Sequence, residues 1–296
     1  MPRSRSLAAA LVAVCALALT GCGKKELPPP PDDTSSYVAL GDSFTAVSGR
    51  GPFSDQVCKR STTDYPSLVA KKLHLSNFQD ASCGGAQTQN LTQSQVITGV
   101  GVNQAQLDEV SADTKLITLG IGLNDAPPST HGSPINYLAL FTCLPNSHGK
   151  RPDTCKTYLD QPDSGFDSVF ADLADNLTAA VRQIRERAPH ARIILVGYQR
   201  VAPDSGECPK RLPLPPKALA RTGLVIQGAN NAMRQVAAKN GAEYVDMWTP
   251  SQGHDVCSAD PWVNGWKDVK EAFAFHPFPA YHRAVADAIV ARLKTK

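Results

Sequence analysis

Ser43 stands directly after Gly41-Asp42, at the end of the short apolar run 37–40. A serine hydroxyl is a weak nucleophile until a nearby base takes its proton. His276 offers that base, in Phe275-His276-Pro277 just ahead of a last amphipathic segment. Two donor-rich segments lie between them, Cys83-Gly84-Gly85-Ala86 and Gly122-Leu123-Asn124-Asp125. Gly85 can bring a backbone N–H close to a ligand because it has no side chain. Asn124 can offer a side-chain amide, and Ser43 its own N–H. Donors aimed at the oxyanion formed during attack on a carbonyl typically lower the barrier by about 2.7–4 kcal/mol each. Ser43, Gly85, Asn124 and His276 together therefore point to acyl transfer through a serine. Taken singly, Gly84-Gly85 also fits a plain tight turn and Asn124-Asp125 a helix cap. Of the seven histidines, His254 and His282 are the other candidates for the base. Asp42 and Asp125 are expected to brace loops.

These residues need a common edge to act together. Runs at 37–40, 78–82, 115–119, 191–196 and 243–247 read as strands. Segments 65–75, 166–187, 218–239 and 281–293 read as helices, the second with Phe166, Val169, Phe170, Leu173, Leu177, Val181 and Ile184 at helical spacing. The alternation predicts an α/β three-layer sandwich with right-handed crossovers. Such sheets collect their chemistry where strands end, which is where Ser43 and the donor segments fall. Residues 126–165 show no sustained period, and a loop of that length is usually functional. Its Ile135, Leu138, Leu140 and Phe141 fit a lipid-facing lid and a small local core equally well.

Residues 1–21 read as a leader. Arg3 and Arg5 precede an apolar stretch too short for a comfortable membrane span. Leu19-Thr20-Gly21-Cys22 has the form of a lipobox, in which Cys22 is acylated and becomes the first residue. The Pro-rich stretch that follows, to residue 35, reads as an extended tether, and 36–296 as one domain. The expectation is an exported monomer, lipid-anchored to the outer face of a bacterial cell membrane. Loss of Arg3 and Arg5 takes the net charge from +3 to +1, which argues against nucleic acid as a partner. Of eight cysteines, Cys15 leaves with the leader and Cys22 carries lipid. The other six, in an exported chain, predict three disulfides. Many pairings are possible, and the sequential one is expected: Cys58–Cys83, Cys143–Cys155 and Cys208–Cys257. No Cys-x-x-Cys pair favours a metal site, and the chemistry requires no cofactor.

With Ser43, Gly85, Asn124 and His276 on its four signature positions, the chain resembles the SGNH, or GDSL, hydrolase superfamily over essentially all of 36–296. The likeness is to the Streptomyces-type esterases and lipases. It is carried by Asp80-Ala81-Ser82-Cys83-Gly84-Gly85-Ala86, Ile117-Thr118-Leu119-Gly120-Ile121-Gly122, Val196-Gly197-Tyr198 and Asp260-Pro261-Trp262-Val263-Asn264-Gly265. Three sequential disulfides also resemble that branch. The resemblance implies a flavodoxin-like sheet of order 2-1-3-4-5. It implies hydrolysis of carboxylic esters, acyl lipids or short-chain esters, through an acyl-Ser43 with His276 as general base. Many members carry an aspartate three residues before the histidine, where this chain has Phe273. In the Streptomyces-type branch a backbone carbonyl takes over, so the carbonyl of Phe273 is expected to accept from His276. Asp268 and Glu271 are the carboxylates that would contradict this Ser–His dyad. Phe278 and Tyr281 replace a common asparagine and glycine and are expected to reshape the pocket. The same fold also supports acyl transfer to an alcohol, deacetylation of envelope glycans, or a silent site in a lipid-anchored binding protein.

Overall fold

The computed structural model describes residues 34–125 and 143–295. The expected leader, Cys22, nearly all of the tether, and Ile135, Leu138, Leu140 and Phe141 lie outside the described residues. Aliphatic and β-branched runs favour extended backbone, and segments with apolar residues every three or four positions favour helix. In chain order the strands are β1 Ser36–Gly41, β2 Phe53–Asp55, β3 Arg60–Ser61, β4 Asn77–Asp80, β5 Gln95–Ile97, β6 Gly101–Asn103, β7 Leu116–Gly120, β8 Arg192–Val196 and β9 Glu243–Val245. The helices are α1 Ser43–Ala46, α2 Tyr65–Lys72, α3 Asp153–Asp160, α4 Gly165–Arg187, α5 Pro216–Lys239 and α6 Pro279–Lys294.

Five strands form one parallel sheet in the order β4-β1-β7-β8-β9. Counted along the sheet's own strands, this is 2-1-3-4-5. The β1 register sets Ala39 opposite Asp80 and Gly41 opposite Gly120, so the chain leaves β1, β4 and β7 close together. Side chains alternate across the sheet, and two cores result. Val38, Leu40, Ile117, Leu119, Ile193 and Leu195 pack on one face with Leu173, Leu177 and Ile184 of α4 and Val225, Ile226 and Met233 of α5. Tyr37, Ala39, Leu116, Ile194 and Val196 pack on the other with Tyr65 and Val69 of α2 and Tyr281, Val285 and Ile289 of α6. Each buried aliphatic side chain contributes roughly 1.5–3 kcal/mol.

Two short antiparallel ribbons, β2–β3 and β5–β6, lie outside the sheet. Their two- and three-residue strands carry no readable period. Helix α3 sits inside the span expected to be loop, and it buries only Cys155 and Tyr158, too few positions to mark a helical face. Disulfides join Cys58–Cys83, Cys143–Cys155 and Cys208–Cys257. Among the described residues no helix is long and apolar enough to cross a membrane.

Candidate active site

The nucleophile's position follows from the end of β1. Asp42 leaves the strand in extended conformation, and its Oδ1 accepts from the Phe44 N–H at 2.8 Å, starting the four-residue helix α1 with Ser43 as its first residue. Gly41 is obligatory here, because a Cβ would sit 2.2 Å from Thr45 Oγ1 and 2.7 Å from the Gly120 carbonyl. Gln106 fixes both polar groups of Gly41. Its Oε1 accepts from the Gly41 N–H at 2.8 Å and its Nε2 donates to the Gly41 carbonyl at 2.9 Å. The second Asp42 oxygen accepts from Tyr198 Oη at 2.6 Å. Full burial raises the Asp42 carboxyl to about 7, against the pull of the Tyr198 and Phe44 donors. Asp42 is thus a brace, as is Asp125, whose two oxygens each take one bond of 2.7 Å from Thr88.

The donor loop follows β4. Asp80 Oδ1 accepts from Ser82 Oγ at 2.6 Å, and Cys83 N–H donates to the Gly41 carbonyl at 3.0 Å. The Cys58–Cys83 bridge and the bond from Gly84 N–H to the Cys58 carbonyl, 3.0 Å, tie the loop to the ribbon beside it. Gly85 lies at φ +76°, a conformation that glycine adopts without penalty. Gln95 Nε2 donates to the Gly84 carbonyl at 2.8 Å, which fixes the peptide that carries the Gly85 N–H. Asn124 is held at the edge of the same loop, its Nδ2 donating to the Ala86 carbonyl at 3.0 Å and its own carbonyl accepting from Gln87 Nε2 at 2.9 Å.

His276 reaches the site on the loop before α6. Ser43, Gly85 and His276 line one cleft of about 390 Å³, with Val47, Val57, Ile97 and Phe273 as apolar wall. Asn124 is not on that wall and is tied instead to Ala86, one residue beyond Gly85. His276 Nδ1 lies 2.7 Å from the Ala274 carbonyl. That carbonyl only accepts, so Nδ1 carries the proton and Nε2 is left as the basic nitrogen. Burial pushes the imidazole below its usual pKa, opposed by the Ala274 bond and the Asp268 charge. His276 is therefore neutral at pH 7.

The expected Phe273 acceptor is corrected by this geometry. The Phe273 carbonyl is engaged in a tight turn, accepting from the His276 N–H at 3.2 Å, and also from Asn264 Nδ2 at 3.0 Å. Phe275, at φ +58°, turns the chain so that the Ala274 carbonyl meets the ring instead. Asp268 does not bond the imidazole. Its Oδ1 accepts from the Ala274 N–H at 2.8 Å, and its other oxygen faces Arg50 at 3.4 Å. Glu271 is exposed and takes no part. Asn264 supports the whole loop: its N–H donates to the His276 carbonyl at 3.0 Å and its Nδ2 also reaches the Lys267 carbonyl at 2.7 Å.

The alternative bases are structural. His282 is fully buried, its Nδ1 accepting from the Tyr65 N–H at 3.1 Å while Nε2 donates to the Val47 carbonyl at 3.0 Å, and burial pushes its pKa down to about 3. His254 stacks on Trp262, with ring centroids 4.3 Å apart. Tyr281, expected to reshape the pocket, is instead buried under the sheet, and Phe278 caps α6 outside the cleft. Gln106, Gln95, Tyr198 and Asn264 also support the site, and of these only Tyr198 and Asn264 lie in segments that carry the family resemblance.

Residues 39–284 match the GDSL-like lipase/acylhydrolase family model. A lipase from Streptomyces coelicolor, Lipase 2, is 34% identical over 255 residues, which span 84% of this chain and 82% of that protein. The extracellular lipase of Streptomyces rimosus, known from a crystal structure, superimposes with a TM-score of 0.67 at 26% identity, covering 87% of this chain and 99% of that one. A phospholipase A1 from Streptomyces albidoflavus has the same fold, with a TM-score of 0.67 at 24% identity, covering 88% of this chain and 99% of that one.

Proposed function

The chain belongs to the GDSL-like lipase/acylhydrolase family and is a carboxylic ester hydrolase, and we propose that it works through an acyl-Ser43 intermediate with His276 as general base. The observation that carries this reading is the shared cleft of Ser43, Gly85 and His276, with the His276 Nδ1 proton given to a backbone carbonyl. His276 Nε2 takes the hydroxyl proton as Ser43 Oγ attacks the ester carbonyl. The Ser43 and Gly85 N–H groups hold the oxyanion, with the Asn124 Nδ2 proton that is not given to the Ala86 carbonyl as the third donor. The C–O bond to the alcohol then breaks, and His276 returns the proton to the leaving oxygen. Water, activated by the same nitrogen, adds to the acyl-enzyme and releases the acid and free Ser43.

The apolar walls favour an acyl chain, and a lipid ester is the substrate that suits them. Export and acylation of Cys22 belong to the same reading, supported by the lipobox spacing and by three disulfides suited to an oxidising compartment. The test is hydrolysis of p-nitrophenyl esters from acetate to palmitate by the parent chain and by Ser43→Ala. Loss of turnover in the variant on every ester, with folding kept, is the expected result. Unchanged turnover would end the serine mechanism. Labelling of the parent but not Cys22→Ala by radioactive palmitate in growing cells tests the anchor.

A further inference from the structure

We infer that the β5–β6 hairpin and the loop 266–271 form a rim that docks the cleft onto a lipid surface with anionic headgroups. The inference rests on the ester-hydrolase reading for the site it serves. Among the described residues the exposed large apolar side chains are Val96 at 73%, Val100 at 58%, Val102 at 52% and Val269 at 38%. Val96 precedes Ile97 of the cleft wall and pairs with Val102, Val100 lies three residues beyond Ile97, and Val269 follows Asp268 of the cleft wall.

The hairpin register explains why this is not chance packing. Val96 pairs with Val102, and Gln95 with Asn103. The two-residue period sends Gln95 and Ile97 to one face and Val96 and Val102 to the other. The first face is committed to the site, with Gln95 bonded to the donor loop and Ile97 on the cleft wall. The second face is a cross-strand valine pair with nothing over it, where an exposed ribbon would ordinarily be polar. Val100 extends that apolar surface at the hairpin tip. Val269, across the cleft, follows Asp268, which lines it.

Charge chooses the occupant. Exposed Arg50, Lys59, Lys267 and Lys270 stand on or next to the cleft mouth, against the carboxylates of Asp268 and Glu271. Apolar tips set among an excess of cations suit insertion between acyl chains beneath anionic headgroups. The same excess opposes a second copy, because a two-fold contact would bring like charges together. Docked this way, the cleft would open toward the lipid, and an ester could enter without crossing bulk water.

The test uses the full chain carrying Cys22→Ser, so that no acyl anchor contributes. Co-sedimentation is measured with vesicles of ether-linked phosphatidylglycerol and of ether-linked phosphatidylcholine, which contain no ester to cleave. Binding to phosphatidylglycerol should exceed binding to phosphatidylcholine. It should fall about tenfold or more in Val96→Ser/Val100→Ser/Val102→Ser, while hydrolysis of dissolved p-nitrophenyl butyrate stays within about twofold. Circular dichroism confirms folding, and Lys267→Gln/Lys270→Gln, which leaves the hairpin untouched, should lose the preference for phosphatidylglycerol. Absent vesicle binding, or undiminished binding by the triple valine variant, overturns the inference. So does a concentration-dependent dimer that the valine variant abolishes in place of vesicle binding. Vesicle binding without hydrolysis of any ester would sink the hydrolase reading and leave the docking rim standing.

Discussion

His276 takes its orientation from the Ala274 carbonyl, so the nearest carboxylate acts on it only through charge and through backbone. Asp268 grips the Ala274 N–H, and its charge raises the imidazole pKa that burial lowers. Asp268→Asn keeps an acceptor for that N–H and removes the charge. The acid limb of kcat/KM should therefore move to lower pH, with the plateau falling by no more than roughly fivefold. Glu271→Ala should change neither. A loss of several orders of magnitude in Asp268→Asn would mean that the carboxylate serves the ring directly. A second prediction concerns stability. His282 titrates near 3 when folded, and about 6.5 is the ordinary imidazole value. Between these values the unfolded chain binds a proton that the folded chain refuses, so its contribution is full above about 6.5 and is lost as pH falls. Asp42, raised to about 7, acts with the opposite sign, binding a proton in the folded state first. His282→Gln can copy both hydrogen bonds and cannot titrate. It should be less stable than the parent at about pH 7.5 and lose that deficit by about pH 4.5, read from urea midpoints. A deficit independent of pH would show that His282 binds its proton equally in the folded and unfolded states.

Elements position these residues through contacts that cross between loops. Gln106, from a short turn before β7, grips the peptide groups on both sides of Gly41, and Gly41 sets the direction from which Ser43 is presented. Gln106→Ala strands the buried Gly41 N–H, while the Gly41 carbonyl keeps its bond from the Cys83 N–H. The expected cost is about 1–3 kcal/mol in urea unfolding, with kcat reduced because the serine turn loosens. A variant with parent-like kcat would show that Asp42 and Tyr198 hold the turn unaided. Gln106 also marks what could be read in advance. Ser43, Gly85 and His276 were legible because nucleophile, close-approach glycine and base each have a distinctive residue type, and the strands because buried runs such as 193–196 are apolar throughout. Gln106 and Gln95 carry no such mark, since an amide that braces a backbone looks like any surface glutamine until the fold brings it inward. The Ala274 carbonyl was missed for a related reason. Which carbonyl meets a ring depends on the φ of Phe275, and a phenylalanine at φ +58° has no signature in residue type.

At the scale of the molecule, the sheet gathers Ser43 and His276 from opposite ends of the chain, and the disulfides divide the work of keeping them there. Cys143–Cys155 closes a separation of 12 residues and Cys208–Cys257 one of 49. In the chain-entropy account the longer closure restricts the unfolded state more, by about 1 kcal/mol for this ratio. The longer bridge also has a task in the folded state. Arg211, three residues after Cys208, donates to the Cys257 carbonyl at 2.6 Å and the Ser258 carbonyl at 2.9 Å, and its own carbonyl accepts from the Trp266 N–H at 3.0 Å. Gly265 packs so closely on Arg211 that a Cβ would sit 2.3 Å from its carbonyl. The Gly265 carbonyl in turn accepts from the Phe275 N–H at 2.9 Å, next to His276. A line of contacts thus runs from the bridge to the base, whereas Cys143–Cys155, which staples α3, meets the segment after Cys208 through Arg151, whose Nη1 donates to the Cys143 carbonyl at 2.9 Å and to the Pro213 carbonyl at 2.8 Å. Replacing both cysteines by serine in each bridge separates the two roles. Loss of Cys208–Cys257 should cost about 1 kcal/mol more stability than loss of Cys143–Cys155 and should also lower kcat on a dissolved ester, with the shorter bridge leaving kcat near the parent value. Equal kcat in the two variants would place the support of His276 in Asn264 alone, and a larger stability loss for the shorter bridge would show that folded-state packing outweighs chain entropy.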